Sequence, residues 1–134
     1  VFKGGAVVYS NELKHTLLGV PEELLARHGA VSAECAEAMV RGATDRLTAD
    51  CAVAVTGIAG PGGGTPEKPV GLVYIAAKVR DQVRVGEFHF PGDRRRVRER
   101  TAARALLMLF ELLREEASQS GPAPSQDSRR PEAR

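Results

Sequence analysis

Residues 51–56 (CAVAVT) constrain the fold more than any other segment. Five of the six are apolar, without alternating polar side chains, and this pattern predicts a strand covered by helices on both faces. The segment runs directly into residues 57–66 (GIAGPGGGTP), which hold too much glycine and proline for a helix or strand and are predicted to form a loop. A buried strand that ends in a glycine-rich loop is typical of the ligand-binding edge of α/β proteins.

Three further segments are predicted to be strands. Residues 4–9 form a short apolar run entered through glycines, and residues 70–79 form a second buried run. Residues 83–90 alternate in polarity until Gly86 interrupts them, which predicts an antiparallel partner with a bulge. Together with the helices between them, these segments predict an α/β fold with a mixed, mainly parallel sheet.

Helix signals separate the predicted strands. Ser10 and Ser32 are predicted N-caps, and Pro21 marks the start of a short helix. Asp93 is predicted to cap a long last helix that reaches about Glu116. Apolar residues recur at helical spacing in the third and the last of these helices, so each is expected to pack one face on the sheet.

The length of 134 residues suits one domain followed by a tail. Residues 1–117 are predicted to form that domain. Residues 118–134 are rich in Ser, Pro, Gln and charge and hold no large apolar side chain, so they are predicted to be disordered. No apolar run reaches the length of a membrane span and no signal peptide opens the chain. We therefore expect a cytoplasmic protein without a membrane partner.

The composition argues against a nucleic-acid partner and against a metal. Aromatic residues make up only 4% of the chain and the net charge is +2, which disfavours base stacking. The arginines of residues 93–98 form a local patch, suited to a small phosphate ester or left as solvated surface. The Cys and His residues lack metal-ligand spacing, so no metal and no cofactor are expected. Cys35 has no activating cation beside it in the sequence and is predicted to pack in the core.

Two predicted strand ends carry candidate chemistry. Lys14 follows the hydroxyl pair Tyr9 and Ser10, and a lysine in a partly dry site can act as the general base for a serine hydroxyl. Tyr9 and Thr56 could then relay protons or orient the base. Simpler alternatives stay open at this point: Lys14 as a surface lysine, Ser10 as a helix cap rather than a nucleophile, and the loop as a plain connection.

The joint pattern of five segments resembles one protein family. The segments are FKGGAVVYSNELK at 2–14, LGV at 18–20, GAVS at 29–32, TGIAGPGG at 56–63 and KPVG at 68–71. In order and spacing they are similar to the CinA C-terminal domain family, from Val1 to about Leu113. The resemblance implies a three-layer α/β/α fold. It also implies an amidohydrolase that converts nicotinamide mononucleotide to nicotinic acid mononucleotide and ammonia in pyridine nucleotide recycling.

The resemblance further implies roles for individual residues. Lys14 matches the family's general base, Tyr9 its strand-end tyrosine and Thr56 the threonine of its active-site loop. Guanidinium groups in the GDRRRVR stretch at 92–98 suit the substrate phosphate. The expected substrate-binding residues are Ser10, Asn11, Gly57, Ala59, Gly60, Arg94 and Arg98.

One part of the family's chemistry is missing from this chain. The family's nucleophilic serine precedes the phenylalanine that matches Phe2, so the resemblance places it upstream of Val1, with the family's first strand and helix. We expect acyl transfer by a Ser/Lys pair in the full protein and little activity in the chain as given. The alternative is a catalytically inactive nucleotide-binding or interaction module. The expected partners are nicotinamide mononucleotide and, because missing elements would expose apolar surface, further copies in a homo-oligomer.

Overall fold

The computed structural model describes residues 1–121. Within them the chain forms four helices and three strands. In chain order these are α1 (Asn11–Leu18), α2 (Glu22–His28), α3 (Ala33–Leu47), β1 (Cys51–Gly57), β2 (Leu72–Val79), β3 (Gln82–His89) and α4 (Arg94–Gln119). Helix α4 runs slightly past the expected domain boundary at residue 117. Most of the expected disordered tail lies outside the described residues, so its disorder stays a prediction.

Three helices begin at the predicted residues, each with a side-chain N-cap. The side chains of Ser10, Ser32 and Asp93 each accept a hydrogen bond from the backbone N–H three residues further on, at 3.1, 3.1 and 2.9 Å. These bonds satisfy amide donors that have no acceptor within the first turn of a helix. The predicted starts of α1, α3 and α4 are therefore confirmed.

The strands form one sheet in the order β1, β2, β3, and both neighbouring pairs are antiparallel. The expected mainly parallel sheet is therefore wrong for the described residues. Parallel neighbours need a crossover that carries the chain back along the sheet. Here the Gly71 N–H donates to Ile58 O at 2.7 Å, so the loop after β1 returns to the end of the sheet that it left. Arg80 and Asp81 then join β2 to β3 as a two-residue hairpin.

Helices cover both faces of the sheet, which confirms the α/β class and gives three layers. Helix α3 packs on one face, with α1 and α2 against it, and α4 packs on the other. This double coverage accounts for the apolar run of residues 51–56 without parallel pairing, although β1 is an edge strand of the described sheet. The α3-side core holds Val8, Leu18, Val20, Leu25, Cys35, Ala36, Met39, Val40, Ala54 and Ala76. The α4-side core holds Val73, Ile75, Ala77, Val79, Val97, Ala105, Met108 and Leu112.

Residues 4–9 do not form the predicted strand. Val8 is buried in the α3-side core, but the side chains of Val7 and Tyr9 are each 89% exposed. An apolar run becomes a strand only where another strand accepts its backbone hydrogen bonds, and no strand within residues 1–121 pairs with this segment. The segment instead approaches the core through one side chain and leads into α1.

The predicted bulge at Gly86 is also wrong. The pairing of β2 with β3 is unbroken, with Ile75 opposite Gly86 and Val85 opposite Ala76. A Cβ at position 86 would lie 2.7 Å from Cε2 of Phe88. Gly86 therefore makes room for the Phe88 ring on the sheet and leaves the pairing register unchanged.

Candidate functional site

Lys14 is the fourth residue of α1 and is 7% exposed. Its Nζ donates hydrogen bonds to the carbonyl oxygens of Val8 at 2.9 Å and Tyr9 at 3.5 Å. It forms no ion pair with a carboxylate in the described part of the chain. A buried amine held by neutral carbonyls is uncommon, because burial of an unpaired ammonium is unfavourable. The surface-lysine alternative is therefore excluded.

Thr56 precedes the last residue of β1 and is buried. Its Oγ1 donates a hydrogen bond to Ala30 O at 2.7 Å, across 26 residues of sequence. This bond ties the connection between α2 and α3 to the end of β1. Thr56 Oγ1 and Lys14 Nζ are not hydrogen-bonded to each other, so a proton relay through Thr56 stays a prediction.

Replacing Thr56 by valine is expected to lower the free energy of unfolding by about 0.5–1.5 kcal/mol, because the partly buried hydrogen bond to Ala30 O is lost. Valine keeps the shape and the strand preference of threonine. Thr56→Ser, which keeps the hydroxyl, is the matched control and should lose less. Urea unfolding followed by circular dichroism measures both. Equal stability of the valine variant and the original chain would contradict this role of the hydrogen bond.

Lys68 is a second cation at this end of the molecule, and no role for it was predicted from the sequence. Its Nζ donates to His28 O at 2.8 Å, across 40 residues of sequence. It thereby fastens the loop after β1 to the C-terminal end of α2, where a cation also interacts favourably with the helix dipole. The KPVG motif contained this residue, but nothing local to the motif indicates a contact with His28.

Cys35 lies in the first turn of α3 and is fully buried. Burial raises the pKa of its thiol, and the positive charges of Lys14 and Lys68 offset this only in part. The cations absent from its sequence neighbourhood thus come from distant parts of the chain. Because reactive cysteines are thiolates in accessible surroundings, the geometry agrees with the predicted packing role and not with a nucleophile.

The two predicted phosphate-binding arginines have different positions. Arg94 Nη1 donates to Gly60 O at 3.0 Å, so Arg94 holds the loop after β1 against the start of α4. Arg98, one turn later, lies instead at an open groove between the end of β1 and α4. Arg95 at the same groove is paired with Glu99 at 2.8 Å.

The groove has a volume of about 760 Å³, within the usual range for small-molecule sites. It brings together four of the predicted site residues: Thr56, Gly57, Ala59 and Arg98. Its remaining lining comes from Val55, Val73, Arg95, Val97, Glu99, Thr101 and Ala102.

The predicted site residues of α1 and of the segment before it do not line this groove. The Tyr9 side chain is exposed, and only its carbonyl faces Lys14. Ser10 Oγ accepts a hydrogen bond from the Leu13 N–H, and Asn11 is the first residue of the helix. The helix-cap alternative for Ser10 is therefore confirmed, and its hydroxyl is occupied in that role.

Neither a metal cluster nor a membrane span is found within residues 1–121. No three His, Cys, Asp or Glu side chains of these residues converge at a possible metal site. None of the helices among them combines the length and apolar character needed to cross a bilayer.

Comparison with known proteins identifies the family. The sequence model of the CinA C-terminal domain family matches residues 1–113 of this chain. A CinA-like protein of Citrifermentans bemidjiense is 56% identical over 105 residues, which are 78% of this chain and 25% of the relative. Another, from Acidobacterium capsulatum, is 52% identical over 108 residues, or 81% of this chain and 26% of the relative. The chain thus spans about a quarter of the length of these curated relatives.

Solved structures agree with this match. The competence/damage inducible protein CihA from Agrobacterium tumefaciens is 48% identical, with a TM-score of 0.77 over 78% of this chain and 65% of that one. A CinA superfamily protein from Klebsiella pneumoniae is 36% identical, with a TM-score of 0.76 over 80% of this chain and 67% of that one. The chain therefore belongs to the CinA C-terminal domain family.

Proposed function

We propose that this domain is part of an amidohydrolase that converts nicotinamide mononucleotide to nicotinic acid mononucleotide and ammonia. The observation that carries the proposal is the buried Lys14, whose amine is held by the carbonyls of Val8 and Tyr9 without a carboxylate partner. A buried lysine whose amine is held in place without a carboxylate partner is a candidate general base for a serine hydroxyl. The substrate itself comes from the family resemblance.

The proposed chemistry is acyl transfer through a serine upstream of Val1. Lys14, in its neutral form, takes the proton of the serine hydroxyl while the serine oxygen bonds to the carboxamide carbon. The carbon–nitrogen bond then breaks, and the nitrogen leaves as ammonia with the proton from Lys14. Water hydrolyses the resulting ester, which releases nicotinic acid mononucleotide and restores the serine.

Backbone amides of the loop after β1 are suited to the oxyanion of this reaction. The Ile58 N–H already donates to Leu72 O at 2.9 Å and is not available to a substrate. The N–H groups of Ala59 and Gly60 have no acceptor within residues 1–121, and Arg94 holds the Gly60 carbonyl. We therefore place the oxyanion at Ala59 and Gly60, where fixed donors would stabilise the developing charge.

Arg98 is the better of the two arginine candidates for the substrate phosphate. The guanidinium of Arg94 is engaged with Gly60 O, whereas Arg98 lies at the groove that also contains Gly57 and Ala59. A guanidinium binds a phosphate through paired hydrogen bonds. In this proposal Arg94 orders the loop and Arg98 binds the anion.

The second candidate function is a nucleotide-binding module without catalysis. It is favoured by one observation: both hydrogen-bond acceptors of Lys14 Nζ in the described chain are carbonyls, and neither is a hydroxyl. Ser10, the hydroxyl residue just after this segment, is occupied as a helix cap. Such a module would bind nicotinamide mononucleotide and leave its amide intact.

Ammonia release from nicotinamide mononucleotide separates these functions. The assay compares the 134-residue chain with a version extended upstream through the family's serine, and calorimetry measures nucleotide binding by both. We expect activity in the extended protein alone, which supports the amidohydrolase. Binding without activity in either protein would favour the module. Equal activity in both would require a nucleophile within residues 1–134 and would contradict the proposed mechanism.

A further inference from the structure

Helix α4 has a second apolar face, directly opposite the one that packs on the sheet. The buried face consists of Val97, Thr101, Ala105, Met108 and Leu112. On the opposite side, five exposed residues follow one another at alternating spacings of three and four. These residues, which we call the outer seam, are Ala103, Leu106, Phe110, Leu113 and Ala117.

The outer seam is unusual for a surface helix. The outer face of such a helix is normally polar, but Leu106 is 65% exposed, Phe110 56% and Leu113 41%. Leu107, beside the seam, is exposed as well. The alternating spacing is that of a coiled-coil seam, in which each residue inserts between residues of a partner helix. An exposed apolar stripe of this kind marks an interaction surface.

We infer that the outer seam binds the same seam of a second copy of this chain, with the two α4 helices antiparallel. Antiparallel register places Ala103 opposite Leu113 of the other copy, and Leu106 opposite Phe110. Both of these layers combine a smaller with a larger side chain, so the seam from Ala103 to Leu113 is complementary to itself under a two-fold axis. Along α4 that axis lies at the level of Met108, but on the side of the helix opposite the buried Met108 side chain.

The charges of α4 favour the same orientation. Its first part, residues 94–104, carries six arginines and one glutamate, whereas residues 105–119 carry three glutamates and one arginine. A parallel pair would place the two arginine-rich ends together, and like charges in contact oppose association. The antiparallel pair separates these ends and places each nearer the acidic half of the other helix.

Sedimentation of the full chain at about 100 µM tests the inference, since this concentration exceeds a Kd in the micromolar range. We expect a dimer for the original chain and a monomer for the double variant Leu106→Glu and Phe110→Glu. Leu17→Glu is the matched control, because Leu17 is an exposed leucine on α1, away from the seam, and it should stay dimeric. A monomeric original chain, or association that the seam substitutions leave unchanged, would overturn the proposal.

Cysteine cross-linking tests the orientation and does not depend on the charged variants. Ala103→Cys and Leu113→Cys are made separately in a Cys51→Ala background, because Cys51 is a partly exposed free thiol. An antiparallel dimer should give disulfide cross-links in a mixture of the two variants and far fewer in either alone. Efficient cross-linking of each variant with itself would show a parallel pair and overturn the antiparallel arrangement.

Discussion

Lys14→Met in the upstream-extended protein is expected to reduce kcat/KM for ammonia release from nicotinamide mononucleotide by about 100-fold to 10,000-fold, the usual contribution of a general base. Lys14 is buried and, among the described residues, its Nζ forms hydrogen bonds only to backbone carbonyls. Methionine preserves the length and packing of the side chain but cannot accept a proton. This prediction assumes the proposed function and tests whether Lys14 is its general base.

Two controls separate lost chemistry from lost structure. Lys78→Met makes the same replacement towards the hairpin end of β2, away from the loop after β1, and should leave kcat/KM nearly unchanged. Circular dichroism and urea unfolding should show Lys14→Met to be folded, because methionine is flexible and apolar and fits a buried position of this length. A folded Lys14→Met protein with full activity would exclude Lys14 as the base.

Gly42→Ala is expected to destabilise the protein by about 3 kcal/mol or more, at or above the upper end for overpacked sites. Gly42 lies inside α3, where α1 crosses it. A Cβ at this position would lie 1.8 Å from Leu18 O and 2.8 Å from the Leu18 carbonyl carbon. These backbone atoms belong to the last residue of α1, so they can move away only if the end of that helix shifts.

Helix propensity alone predicts the opposite result for Gly42→Ala. Alanine in a helix interior is favoured over glycine by about 1 kcal/mol, so a stabilised variant would show that α1 does not approach α3 so closely. Gly62→Ala is the control, because no atom lies within 4 Å of a Cβ at that position. Urea unfolding of the three proteins compares them directly. Since α1 also carries Lys14, we expect the Gly42 variant of the extended protein to lose activity as well.

Features that depend on neighbouring residues were predicted well from the sequence. A cap contacts the N–H only three residues away, so Ser10, Ser32 and Asp93 could be identified from their types and positions. The antiparallel hairpin of β2 and β3 follows for the same reason. Strand direction in the rest of the sheet could not be predicted in this way. An apolar run indicates that both faces of a strand are covered, but it does not indicate which strands pair.

The sequence by itself determined the family, the helix starts, the loop after β1 and Lys14 as the leading candidate for catalysis. Only the tertiary structure decided that Lys14 is buried, that residues 4–9 form no strand and that Arg94 binds Gly60 O, which leaves Arg98 at the groove. It also revealed the contact of Lys68 with His28 and that of Thr56 with Ala30, 40 and 26 residues apart in sequence. Such contacts depend on how whole helices and strands pack. The residues next to each partner in the sequence do not indicate that packing.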